Sequence, residues 1–321
     1  MKKMKALIFG VSGQDGSYLS QLLLKKNYEV HGVTREISDL SYKNLQTLSI
    51  ENHISLEEFN PLEYKKVFDL INYIKPNEIY NLSGQSSVGL SFSRPLETLE
   101  SINTISLNIL ESIRKINQDI KFYNASSGEV FGERSSKPAD ENSTYFPVSP
   151  YGLAKSQSAI VTKLYREIYN IHACSGYLFN HESPLRPSTY VTQKIISGAC
   201  NISKDKNIKL KLGNIDISRD WGYAPEYVNA MWKMLQLDEA EDFIIATGRT
   251  ISLKDFIKIS FGYFNLDWKE HVEIDKSLFR PSDIKINKAC PKKALIKLGW
   301  SAEITVEELI SKMISAKNGI Y

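Results

Sequence analysis

A chain of 321 residues, 42% of them hydrophobic, can bury a full core and is long for one ordinary domain, so one large domain with a smaller one built onto it is expected. Its 40 basic and 37 acidic residues are mixed along the chain, which argues against a nucleic-acid groove or an anionic membrane surface as the main partner. Three cysteines, Cys174, Cys200 and Cys290, stand far apart in no metal-ligand spacing, so free thiols in a reducing compartment are expected, without disulfides or a metal site.

At the start, Lys2, Lys3 and Lys5 precede a five-residue apolar run that is too short for a signal peptide, and no apolar segment approaches a membrane span, so a cytoplasmic protein is expected. Lys5 to Phe9 reads as a strand, Ser17 to Lys26 as a helix and Glu29 to Val33 as a second strand. A third strand falls near Ile54. A helix from Pro61, suited to a first helical position, ends at Lys75 before Pro76, and Glu78 to Leu82 is the next strand. A helix over Glu97 to Ile116, a strand over Lys121 to Ala125, a helix carrying Tyr151 and a strand over Ala173 to Phe179 follow. Repeated strand–helix units predict an α/β fold: a Rossmann-type doubly wound parallel sheet with ligands at the carboxyl ends of its strands.

Past residue 180 the periodicity weakens and Pro, Asn and Gly punctuate the chain, as expected of a smaller C-terminal α/β substrate-binding lobe. Lys204 to Lys211 alternates with apolar residues and reads as a strand with one solvated face. The expected division is a dinucleotide-binding domain over residues 1–180, with 219–240 packing back onto it, and a nucleotide-sugar lobe over 181–218 and 241–321.

Three groups of residues carry chemistry. Gly10-Val11-Ser12-Gly13-Gln14-Asp15-Gly16 follows a strand and opens a helix, so its glycines let the backbone approach a pyrophosphate held at the helix N-terminus. At the end of the second strand Thr34 and Arg35 stand where an NAD site places a carboxylate, which suits the 2′-phosphate of NADP; a slip of two residues puts Glu36 there and favours NAD. Tyr151 and Lys155 lie one helical turn apart, downstream of Ser127 and Glu129. A lysine ammonium and a nicotinamide cation near a phenol favour its phenolate, a usable base near neutrality.

These motifs resemble the extended short-chain dehydrogenase/reductases, and within them the GDP-mannose 4,6-dehydratases. The G-Q-D-G-S-Y-L loop stands at Gly13 to Leu19, N-L-A-A-Q-S-H-V corresponds to Asn81 to Val88, and L-F-N-H-E-S-P to Leu178 to Pro184. V-T-R-K-I corresponds to Val191 to Ile195, L-G-N-L-D-x-x-R-D-W-G to Leu212 to Gly222, and Y-R-P-T-E to Phe279 to Asp283. The resemblance implies catalytic roles for Ser127, Glu129, Tyr151 and Lys155, with Ser127 bonding the sugar 4-oxygen and Glu129 handling the elimination. It places the cofactor on the glycine loop, Leu82 and Ser83, besides Tyr151 and Lys155. It places a GDP-linked sugar on Gln85, Ser86, Asn180, Glu182, Lys194, Gly213, Asn214, Arg219, Arg280 and Asp283. Extended members commonly pair through two long helices, here Glu97 to Ile116 and Pro150 to Tyr169, so a homo-oligomer, at least a dimer, is implied.

The departures from the family pattern are Gly128, Leu185, Gln193 and Tyr223, all expected around the sugar, together with a shortened loop after Arg35. They leave GDP-mannose, a GDP-heptose or a GDP-N-acetylhexosamine open as substrate, and dimer or tetramer as the assembly. Rival activities are an epimerase or 4-keto reductase, which has no evident need of Glu129, and a decarboxylating enzyme using Arg186 as an extra cation. From another class, a non-catalytic nucleotide-binding regulator is the alternative, which loss of Tyr151 or Lys155 would have marked.

Overall fold

The structure, a computed structural model, describes residues 3–319, so Lys2 lies outside the described residues. Short apolar runs make the first strands and amphipathic stretches the helices between them: β1 (Lys5–Phe9), α1 (Gln14–Lys25), β2 (Glu29–Thr34), α2 (Asp39–Thr47) and β3 (Ile54–Glu58). Next come α3 (Tyr64–Ile74), β4 (Glu78–Asn81), α4 (Val88–Ser93), α5 (Pro95–Ile116), β5 (Lys121–Ser127), α6 (Pro150–Tyr169) and β6 (Ala173–Leu178). The rest of the chain is more regular than its sequence periodicity predicts. It holds β7 (Asn180–Glu182), α7 (Val191–Lys204), β8 (Leu210–Leu212), β9 (Ser218–Tyr223), α8 (Ala224–Leu235) and β10 (Phe243–Ile245). Last are β11 (Thr250–Ser252), α9 (Leu253–Gly262), β12 (Val272–Ile274), α10 (Lys292–Leu298) and α11 (Val306–Lys317).

Seven strands form one parallel sheet in the order β3-β2-β1-β4-β5-β6-β10. The order reverses between β1 and β4, and a crevice opens at the carboxyl ends of such strands. Leu19 and Leu23 of α1 and Met231 of α8 cover one face; Ile71 of α3 and Ile109 and Ile113 of α5 cover the other. Each such aliphatic side chain, wholly buried, contributes about 1.5–3 kcal/mol. A separate core joins α7, α9 and α11 through Ile195, Phe256 and Met313.

Three boundaries differ from the sequence expectation. β10, expected in the substrate lobe, is the edge strand of the large sheet, because Phe243, Ile244 and Ile245 are all apolar and find burial against β6. Lys204 to Lys211 is mostly a turn: Lys204 ends α7, and the Asp205 carboxylate accepts from the Asn207 N–H at 3.0 Å, so only Leu210 and Lys211 enter β8. Pro61 precedes α3 rather than opening it, and the helix ends on Lys75 in the left-handed region at φ 52°.

Local signals hold where the site is built. Pro150 takes a first helical position in α6, and the Ser149 hydroxyl accepts from the Gly152 N–H at 3.0 Å, so the cap fixes where Tyr151 emerges.

Candidate active site

The glycine loop joins β1 to α1. Gly10 has φ +85°, and a Cβ there would lie 2.8 Å from the Leu82 carbonyl oxygen at the end of β4, so both its conformation and that close approach demand glycine. Gly13 caps α1 without a side-chain hydrogen bond, leaving the first-turn N–H groups for a diphosphate. Asn44 of α2, which sequence reasoning missed, steadies the loop by donating to the Ser12 carbonyl at 2.9 Å. This cradle fits a dinucleotide.

The side chains of Gln14 and Asp15 bond His181 and Ser183, and Asp15 also lines the main cavity. The Gln14 amide donates to the His181 carbonyl at 3.2 Å and accepts from the Ser183 hydroxyl at 2.7 Å. Asp15 accepts from His181 at 2.8 Å. Burial opposes the Asp15 charge, yet the charge and hydrogen bond of His181 hold its carboxyl below the ordinary range. At the end of β2 the Thr34 hydroxyl donates to the Glu36 carbonyl at 3.0 Å, while Arg35 and Glu36 are exposed. The Ser83 hydroxyl donates to Asn81 at 2.6 Å, and Leu82 lines the main cavity.

That cavity, of about 400 Å³, brings together Ser127, Glu129, Tyr151 and Lys155. β5 runs two residues further than expected, so Ser127 is its last residue, and its hydroxyl accepts from the Glu129 N–H at 3.2 Å at the start of a 3₁₀ turn. Tyr151 hydrogen-bonds Ser127, but burial outweighs that bond and pushes the phenol up. Lys155 stands beside the phenol and bonds the strand below it. Its Nζ lies 5.9 Å from the Tyr151 ring centroid and donates to the Ala125 carbonyl at 2.7 Å. Burial pulls that ammonium down to about 8, with Asp15 acting in the opposite direction. In the chain without a cofactor the ammonium is therefore anchored to the strand under the phenol, one helical turn from Tyr151.

Burial also raises Glu129; Arg219 and Arg280 act against it and Asp283 with it. The two arginines share one carboxylate. Arg219 Nη2 donates to Asp283 Oδ1 at 2.9 Å, and Arg280 Nη1 lies 3.5 Å from the same oxygen, so Asp283 spends its charge aiming them into the cavity. Asn180, Lys194, Gly213 and Asn214 also line the cavity, and a Cβ on Gly213 would lie 2.8 Å from the Leu278 carbonyl oxygen. The Ser86 hydroxyl meets that of Tyr190 at 2.8 Å. Two expected ligands also make hydrogen bonds within the protein, and of these Glu182 lines the cavity. Gln85 bonds Thr98 and both backbone polar groups of Ser87 and does not line the cavity; Glu182 accepts from Thr192 at 2.8 Å and lies 3.3 Å from Arg186. Tyr190 is a cavity residue not assigned a substrate role from sequence, and the guanidinium of Arg186, also in the cavity, lies 3.7 Å from its ring centroid. No local motif marks Tyr190, whose place depends on the chain folding back over the sheet. Among the described residues no cluster of His, Cys, Asp or Glu is arranged to hold a metal ion, and no helix is long and apolar enough to cross a membrane.

The model of the GDP-mannose 4,6-dehydratase family matches residues 7–313. The chain belongs to this family. It is 41% identical over 319 residues to GDP-mannose 4,6 dehydratase 1 of Arabidopsis thaliana, covering 96% of this chain and 88% of that one. It is 38% identical over 347 residues to GDP-mannose 4,6-dehydratase of Vibrio cholerae, covering 97% and 93%. Among solved structures, a UDP-glucose 4-epimerase of Thermotoga maritima superposes with a TM-score of 0.88 at 21% identity, over 98% of this chain and 99% of the other. A dTDP-glucose 4,6-dehydratase of Bacillus anthracis does so with 0.85 at 16% identity, over 98% and 97%. These two likenesses concern the fold.

The departures from the GDP-mannose 4,6-dehydratase pattern do not cluster at the cavity as expected. Only Gly128 lines it, and a Cβ there would lie 3.0 Å from the Phe179 ring. Leu185 packs into the core shared by α1 and α8. Gln193 is buried and donates to the Ser183 carbonyl at 3.0 Å. Tyr223 packs on the core of α7, α9 and α11, with Lys312 Nζ 5.6 Å from its ring centroid.

Proposed function

We propose that this protein is a GDP-mannose 4,6-dehydratase that converts GDP-mannose to its 4-keto-6-deoxy derivative with release of water, using NADP(H). One observation carries the reading: Glu129 shares a cavity with Ser127 and Tyr151 and is faced by Arg219 and Arg280. Oxidation at C4 alone needs no such carboxylate, whereas elimination across C5 and C6 needs a base and an acid. Family membership and the placing of Leu185, Gln193 and Tyr223 away from the cavity favour GDP-mannose over a heptose or an N-acetylhexosamine.

In this reading Arg219, Arg280 and Lys194 neutralise the diphosphate, and Asn180 orients it. Ser127 donates to the sugar 4-oxygen while Tyr151 takes the 4-hydroxyl proton. The glycine loop, Leu82 and Ser83 would hold a nicotinamide dinucleotide, which when bound would supply storage for the C4 hydride and its return to C6. With C4 a ketone, the hydrogen on C5 becomes acidic. Glu129 removes it and passes a proton to the 6-hydroxyl, which leaves as water; after hydride reaches C6, C5 takes a proton of solvent origin. No net oxidation occurs. Gly128 offers no acid, so Glu129 serves as base and acid in turn.

Exposed Arg35 favours NADP over NAD through charge-assisted bonds to a 2′-phosphate. Residues 1–180 and 219–240, joined by β10, seat this cofactor, and the remainder of 181–321 shapes the sugar-nucleotide site. A homodimer is supported by an apolar stripe on α6, Leu153, Ile160, Leu164 and Ile168, beside Leu96 and Leu107 of α5. The three free thiols suit a cytoplasmic setting. Incubating the purified protein with GDP-mannose and following its mass tests the activity. A loss of 18 mass units with no net change in the cofactor is expected; turnover of a uridine or thymidine diphosphate sugar alone would overturn it.

A further inference from the structure

The two residues opening α1 grip a strand more than 160 positions away. Gln14 bonds His181 and Ser183, and Asp15 Oδ2 meets His181 Nε2 at 2.8 Å. The other ring nitrogen, Nδ1, meets the Phe179 carbonyl at 2.7 Å. Both partners are acceptors with no proton to give, so only the doubly protonated imidazolium satisfies both contacts. Its ring stacks on Tyr227 of α8, with centroids 4.7 Å apart, in a buried position. Beyond it, β7 carries Asn180 into the cavity and pairs with β9, which carries Arg219.

We propose that Asp15 and His181 are positioning residues that couple the cofactor seat on α1 to the diphosphate seat on β7 and β9, so that filling either seat tightens the other. The inference rests on the dehydratase reading above for the identity of the two ligands. The pair spans two bodies whose relative position decides whether Asn180 and Arg219 face a ligand held on α1. A neutral imidazole turns one lone pair toward an acceptor and loosens the tie. The charged and titratable groups around the pair are Arg186 after β7, Lys155 of α6, Tyr123 of β5 and Tyr227 of α8. Burial opposes the imidazolium, and the Asp15 charge and hydrogen bond outweigh it, so His181 stays charged above its ordinary value of 6.5. The coupling is therefore present below the raised His181 value, down to the carboxylate range, and fades as pH rises through it.

The test is binding rather than turnover. GDP affinity of the full chain is measured by calorimetry with and without NADP(H), for the parent, D15N, H181N and the double variant. NADP(H) is expected to tighten GDP about tenfold in the parent, within the usual span of coupling between two sites. Each single variant loses most of that factor, and the double variant loses no more than either. Losses that add, or a D15N protein that binds NADP(H) poorly with the coupling intact, overturn the proposal. Should either variant fail to fold, the parent decides alone: GDP affinity left unchanged by NADP(H) overturns it. Parent protein that shows coupling but does not dehydrate GDP-mannose sinks the dehydratase reading and leaves the coupling standing.

Discussion

The ammonium of Lys155 donates to the carbonyl of Ala125 at 2.7 Å, so the cation of the Tyr-x-x-x-Lys pair is anchored to the strand beneath the site. Because burial pulls Lys155 from 10.5 to about 8, folding disfavours its charged form. That cost is full below pH 8 and disappears as pH rises past 10.5. K155M is expected to end turnover yet stabilise the fold at pH 7 by about 2 kcal/mol, roughly 3 for the relieved charge less about 1 for the lost hydrogen bond. Denaturant unfolding at pH 7 and pH 10 checks this, with the gain shrinking at the higher pH. A K155M protein less stable than the parent at pH 7 would show that the bond to Ala125 dominates.

Glu129 separates dehydration from oxidation. E129Q is expected to keep its fold and bound cofactor and still pass hydride from C4, while product formation falls by roughly 10²–10⁴-fold. Y151F instead blocks the first oxidation and shows no transient reduced cofactor. A stopped-flow trace at 340 nm read beside solvent deuterium entering C5 distinguishes the two; normal exchange and product in E129Q would rule out the assignment. Since burial raises this carboxyl, the acid limb of activity is expected above its ordinary 4.5, with activity falling as pH drops through the raised value.

Arg35 is exposed at the end of β2. R35A is expected to weaken NADP(H) binding by about 10- to 100-fold, the worth of a lost charge-assisted bond, while leaving NAD(H) affinity and thermal stability unchanged. Nucleotide titration followed by fluorescence provides the comparison. Equal losses for both nucleotides would remove the 2′-phosphate from the argument and turn attention to Glu36.

Leu164 and Ile168 stand one helical turn apart on the outer face of α6, Ile168 with 62% of its surface exposed. Glutamate at Leu164 is expected to halve the mass seen by light scattering, from two chains to one of 36.5 kDa. A parent protein already of single-chain mass at micromolar concentration would dispose of the dimer.

The parallel sheet was legible because each strand–helix unit is local: a short apolar run, a turn, an amphipathic stretch. β1, β2, β4, β5 and β6 lie within two residues of the sequence-based bounds. β10 escaped because three apolar residues carry no period, and only the open edge of β6 gives them a place. Conversely, Lys204 to Lys211 showed a period of two that the Asp205 turn overrides. Within the site, the glycine loop and the Ser127, Glu129, Tyr151 and Lys155 set were readable as motifs. The bonds of Gln85 to Thr98 and Ser87 were not, since a motif names a residue without saying which neighbour takes its hydrogen bonds.

By itself the sequence determined what depends on short spacings: the glycine that permits φ +85° at Gly10, the cap at Ser149, and the single helical turn that puts Tyr151 and Lys155 on one buried face. Only the tertiary structure decided which charges meet. Asp15 finds His181 across 166 positions, Arg219 finds Asp283 across 64, and Lys155 turns to Ala125 rather than to the phenol beside it. Those choices follow from desolvation. A buried charge takes whatever partner the packing brings within reach, and the linear order of residues does not encode that distance.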